Sequence, residues 1–61
     1  MGQTAKSQAE AYAANLEVFA DALAIQAAAF KDAGFINLGE STLEQSIKLR
    51  GAIEQLRALD L

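Results

Sequence analysis

The sequence predicts an all-α fold, an antiparallel helical hairpin of two helices that self-associates into a four-helix bundle dimer or a higher assembly. Three observations predict it. Ala9 to Ala33 runs without Gly or Pro and carries apolar residues at helical spacing. A Ser-x-x-Glu pattern, the mark of a capped helix start, occurs at Ser7 to Glu10 and again at Ser41 to Glu44. The chain has 61 residues and neither Cys nor His, so disulfides and the usual zinc ligands are unavailable to support a small core. Association is the remaining support.

Residues 1–6 are small and polar and read as a flexible tail, leaving residues 7–61 for the hairpin. Helix 1 is expected over about 8–33. Its expected hydroxyl cap is Ser7, with Glu10 reaching back to the cap amide; the alternative is a start near Thr4. Tyr12, Leu16, Phe19, Leu23 and Phe30 follow steps of four, three, four and seven and stack into one apolar stripe. Val18, Ala22, Ile25 and Ala29 form a second stripe on a neighbouring face, wider than one partner helix covers. Gln26 interrupts the main stripe between Leu23 and Phe30; a polar residue at such a position either fixes register or oligomeric state at an expense in stability or lies at the stripe's edge with its amide in water.

Helix 1 stops at Gly34. With Ala33 as the C-cap, Gly34 falls where a left-handed residue is needed, and Phe35 lies where a Schellman turn brings it back toward Phe30. Lys31 in the last turn complements the helix dipole by ~0.3–1 kcal/mol. The connector is expected over 34–41. It is unusually apolar, so Phe35, Ile36 and Leu38 either plug the end of the core or form an exposed tip for a partner protein.

Helix 2 is expected over about 42–59, opening on the second capping box. Leu49, Ala52, Ile53, Leu56 and Leu59 make its main stripe, and Leu43, Ile47, Gly51 and Ala58 a weaker second face. Folding back at the connector sets Phe30 near Leu43, Leu23 near Arg50 and Gly51, and Leu16 near Leu56 and Arg57. Two helices alone leave both second stripes wet. A second hairpin closing a four-helix core covers them, with Tyr12, Leu16, Val18, Phe19, Leu23, Ile25, Gln26, Phe30, Ile47, Leu49, Ile53 and Leu56 as the interface set.

Several function classes are disfavoured by the residues present. The formal net charge of −3 repels nucleic-acid phosphates and anionic membrane surfaces. Asn15, Glu17, Asp21 and Gln26 interrupt the longest apolar run, so no membrane span is expected. No secretory h-region precedes helix 1, and the expected setting is cytoplasmic. With no His or Cys, the hydroxyls of Ser41, Thr42 and Ser46 have no base to activate them, and Glu10, Glu17 and Asp21 fall on the solvated face of helix 1. No catalytic residue, cofactor or metal is expected. The sequence therefore points to a non-enzymatic structural or assembly subunit whose partner is itself. The alternative is a small regulator or adaptor that binds one other protein through an apolar face or the Phe35–Leu38 tip.

Overall fold

The computed structural model of the protein describes residues 4–59. Two α-helices, Ala5–Asp32 (α1) and Ile36–Arg57 (α2), lie side by side as an antiparallel hairpin, with no strand among the described residues. The body is long and thin, with principal extents of 51 × 18 × 8 Å.

α1 begins three residues earlier than expected from sequence. Thr4, in extended conformation, is the N-cap, and its hydroxyl oxygen accepts from the Ser7 amide at 3.1 Å. The Ser7 hydroxyl is not a cap and instead accepts from the Thr4 hydroxyl at 3.2 Å. Capping at Thr4 lets Ala5 and Lys6, both good helix formers, add to the helix. The expected tail is thus partly helical, and its residues 1–3 lie outside the described part of the chain.

The stop is where the sequence places it. Ala33 is the C-cap and Gly34 has φ +95°. The Phe35 amide donates to the Phe30 carbonyl at 2.8 Å and the Gly34 amide to Lys31 at 3.0 Å, the two bonds of a Schellman turn.

The connector is much shorter than expected. α2 starts at Ile36, its first turn closed by the Gly39 amide donating to the Phe35 carbonyl at 2.9 Å. The Ser41 box therefore lies inside the helix and caps nothing. The physical reason is Gly39, which is buried against α1. A Cβ there would sit 2.6 Å from Lys31 Cγ and 2.8 Å from the Ala27 carbonyl oxygen, so only glycine permits this approach. Close docking of the Ile36–Gly39 turn and its backbone hydrogen bond outweigh a local capping preference.

A shorter turn moves the register near Ser46. The pairing expected from sequence sets Ser46 opposite Ala27; in the structure Ser46 bonds to the carbonyl of Ala20, nearer the start of α1, while Arg50 pairs with Asp21 and Arg57 with Glu17, close to the partners expected.

Candidate assembly surface

The seam between α1 and α2 is built from small residues. Ala13, Ala20 and Ala27 recur every seven positions along α1 and are buried; Gly39, Thr42, Ser46 and Ile53 are their buried counterparts on α2. Leu16, Leu49 and Leu56 pack around Ala13, Ala20 and Ile53, and Leu23 and Phe30 are half-buried. Both hydroxyls in the seam are satisfied: Thr42 donates to the Leu38 carbonyl one turn back at 2.8 Å, and Ser46 donates across to Ala20 at 2.9 Å.

Small residues bring the helix axes together, and that decides where the large ones go. Tyr12 and Phe19, two members of the expected core stripe, are 65% and 63% exposed, and the stripe position taken to be Gln26 is filled by Ala27. Gln26 itself is exposed beside it. Val18 and Ile25 are 67% and 70% exposed, and Ile47 on α2 is likewise outside. The expected interface set therefore divides. Leu16, Leu23, Phe30, Leu49, Ile53 and Leu56 serve the hairpin's own core, whereas Tyr12, Val18, Phe19, Ile25, Gln26 and Ile47 remain on the surface. The alanine heptad carries a signal that bulky stripes do not, namely three small residues seven apart on α1 and the pair Gly39 and Ser46, also seven apart, on α2.

The turn end does not plug a core. Phe35, Ile36 and Leu38 are each about half-exposed.

Charge is gathered along one edge of the seam. Arg57 reaches across to Glu10, with Nε to Oε1 at 3.1 Å, and to Glu17; Arg50 pairs with Asp21. The hydrogen bonds that Arg57 donates to Glu17 first and to Glu10 second raise its pKa further above the ordinary value, against a smaller opposing effect of desolvation. These three carboxylates keep the solvent exposure expected from sequence while pairing across to α2. An open cleft at the free end of the hairpin is lined by Ser7, Glu10, Leu56 and Arg57, so its carboxylate is already tied to the guanidinium. Among the described residues no group of three or more His, Cys, Asp or Glu side chains could hold a metal ion.

By length and composition α1 is long and apolar enough to cross a membrane, although its polar interruptions argue otherwise in the sequence; 17% of its most apolar window is buried in the hairpin. Two of the acids that interrupt it, Glu17 and Asp21, are engaged by arginines of α2.

No protein-family model matches the chain, and neither the curated proteins nor the solved structures contain a significant match.

Proposed function

We propose that this protein is a non-enzymatic assembly subunit that works by self-association. The supporting observation is its surface. It is apolar where it matters: Tyr12, Val18, Phe19 and Ile25 stand on one helix, all more than 60% exposed. Isolated exposed apolar residues are ordinary, but two pairs at heptad spacing on one helix, Tyr12 with Phe19 and Val18 with Ile25, offer surface for a partner to cover. The absence of His and Cys from the sequence removes the common bases and nucleophiles, which is why catalysis is not proposed.

Sedimentation velocity combined with circular dichroism melts over a wide concentration range tests this. A mass above that of the monomer, with a melting midpoint that rises with concentration, is the expected result, because association stabilises by mass action. A monomer mass with a constant midpoint removes the proposal.

A second function rests on Phe35, Ile36 and Leu38, which are exposed at the turn where a plug would be buried. In that case the hairpin is an adaptor whose turn end enters a groove on one other protein. Phe35→Ser and Ile36→Ser distinguish the two. They leave the sedimentation of an assembly subunit unchanged and abolish capture of the partner by an adaptor.

A further inference from the structure

We infer that two copies of the chain associate through one broad side of the hairpin, the uncharged side on which Tyr12, Phe19 and Leu23 of α1 lie with Leu49, Ala52 and Leu56 of α2. This names the surface for the self-association proposed above, and rests on it.

The hairpin is a flat layer with two unlike broad sides. Its extent of 8 Å across the layer is little more than one helix. On α1 the line of Ala13, Ala20 and Ala27 faces α2; at about 100° per residue the acids Glu10, Glu17 and Asp21 fall on one flank of that line, and Tyr12, Leu16, Phe19 and Leu23 fall on the other. The flanks of the Ser46–Ile53 line on α2 separate in the same way. Arg50 and Arg57 meet the acids of α1 on one side, and Leu49, Ala52 and Leu56 come out on the other. Among the described residues no charge projects from that second side, and Lys48 alone stands at its border. The seam itself buries only three alanines and Ile53 as apolar residues, a small core for a chain of 61. Leu16, Leu49 and Leu56 are only partly buried against it, and Tyr12 and Phe19 are mostly exposed. A second layer laid on this side covers all five and gives the two-layer packing from which domains are built.

Area and charge point to another copy as that layer. The side measures 51 by 18 Å, roughly 900 Å² in projection, close to the ~800 Å² that each partner contributes to a stable pair. Two chains that each carry a net charge of −3 must meet where their carboxylates stay apart. Contact through the uncharged side does this, because it leaves Glu10, Glu17 and Asp21 on the outside of both layers, each beside an arginine of its own chain. The opposite broad side would bring the same acids together. An isologous pair uses one patch twice, so an uncharged patch spanning both helices is its own complement, and the product is a four-helix bundle. A lipid surface fits the charge poorly. Helices that lie on lipid carry Lys and Arg on the polar face, whereas the polar side here holds three carboxylates already paired with arginines.

The experiment uses the full chain, which has no cysteine of its own. Three single variants place a thiol at exposed positions: Gln45→Cys on the uncharged side, Glu54→Cys on the charged side and Ala29→Cys on the outer side of α1. Alkylation by iodoacetamide is timed at low and high protein concentration, with the mass followed by sedimentation. The expected result is that Gln45→Cys reacts several-fold more slowly at high concentration while the other two keep their rates. Slowing at Glu54→Cys or Ala29→Cys in place of Gln45→Cys, or association with no slowing at Gln45→Cys, overturns the assigned side and leaves self-association standing. Phe19→Glu, which sets a carboxylate on the uncharged side, is expected to weaken association roughly tenfold or more; undiminished association also overturns the assignment. The thiol rates do not depend on that variant folding. A chain that stays monomeric at every concentration removes both the side and the self-association. Protection of its Gln45→Cys thiol by phosphatidylcholine–phosphatidylglycerol vesicles then gives the side to lipid, and no protection leaves it to a different protein.

Discussion

The Ser46 hydroxyl donates to the Ala20 carbonyl at 2.9 Å, a bond between the two helices that joins residues buried on both sides. It fixes register as well as adding stability, since a slip of one residue removes the donor from the seam. Ser46→Ala keeps the small volume and loses the bond, so the expected loss is ~0.5–1.5 kcal/mol by denaturant unfolding. Ser46→Leu overfills the seam and should lose more, on the order of 1–3 kcal/mol. If both variants unfold like wild type, the two helices do not meet at this register.

Gly39 and Gly51 share α2 but should respond oppositely to alanine. A Cβ at Gly39 would lie 2.8 Å from the Ala27 carbonyl oxygen, a backbone atom that cannot swing aside, whereas nothing lies within 4 Å of a Cβ at Gly51. Gly39→Ala should therefore destabilise by about 1–3 kcal/mol through separation of the helices. Gly51→Ala, in an exposed helix interior, should stabilise by ~0.5–1 kcal/mol. Equal effects at the two sites would mean that α2 does not approach α1 at Gly39.

Gly34 tests the turn. At φ +95° an added Cβ meets no neighbour but strains the backbone, so Gly34→Ala should lose ~1–2 kcal/mol. A neutral result in equilibrium unfolding would place the end of α1 elsewhere.

The Arg57 pair predicts a particular indifference to pH. Its pKa is higher folded than unfolded, so its contribution is complete below the unfolded value and is lost only as pH rises through the folded one. Both lie far above neutrality. Stability should accordingly show no step assignable to Arg57 between pH 7 and about pH 10, the upper figure approximating where lysine and tyrosine begin to titrate. Arg57→Gln should lower the melting midpoint slightly, and added salt should shrink that difference, because the pair is exposed to solvent. A difference that grows with salt would contradict the ion pair.

The hairpin and its turn were legible in the sequence because each rests on a residue with one physical meaning. A long run of helix formers ended by a glycine at the left-handed position admits few interpretations, and Gly34 behaves accordingly. The start of α2 was not legible. The Ser41 box is a sound local signal, but the docking of Gly39 is a tertiary contact that no window of sequence contains. The division of the expected interface set between the hairpin's own core and its surface has a related origin. Transfer energy ranks Tyr12 and Phe19 above Ala13 and Ala20 as core residues, yet the separation of two helices is set by the smallest residues between them. Once alanine and glycine bring the axes together, the rings cannot fit in the seam, and they stand on the outside where a second copy can reach them.

That inversion of size and burial gives the sharpest test. Ala20 is fully buried although a methyl group is all it contributes, and Phe19 beside it is mostly exposed although it offers the larger apolar area. If the bulky stripe were the hairpin core, Phe19→Ala would cost about 3–5 kcal/mol and Ala20→Val would be tolerated. The structure reverses the order. Ala20→Val forces the helices apart and should lose ~1–3 kcal/mol at any protein concentration. Phe19→Ala should leave the unfolding of the dilute chain nearly unchanged and diminish only the rise of its melting midpoint with concentration, since what it removes is surface available to a second copy. Melts of both variants at two concentrations a hundredfold apart separate the cases. A loss for Phe19→Ala that is the same at both concentrations would return the ring to the core of the single hairpin.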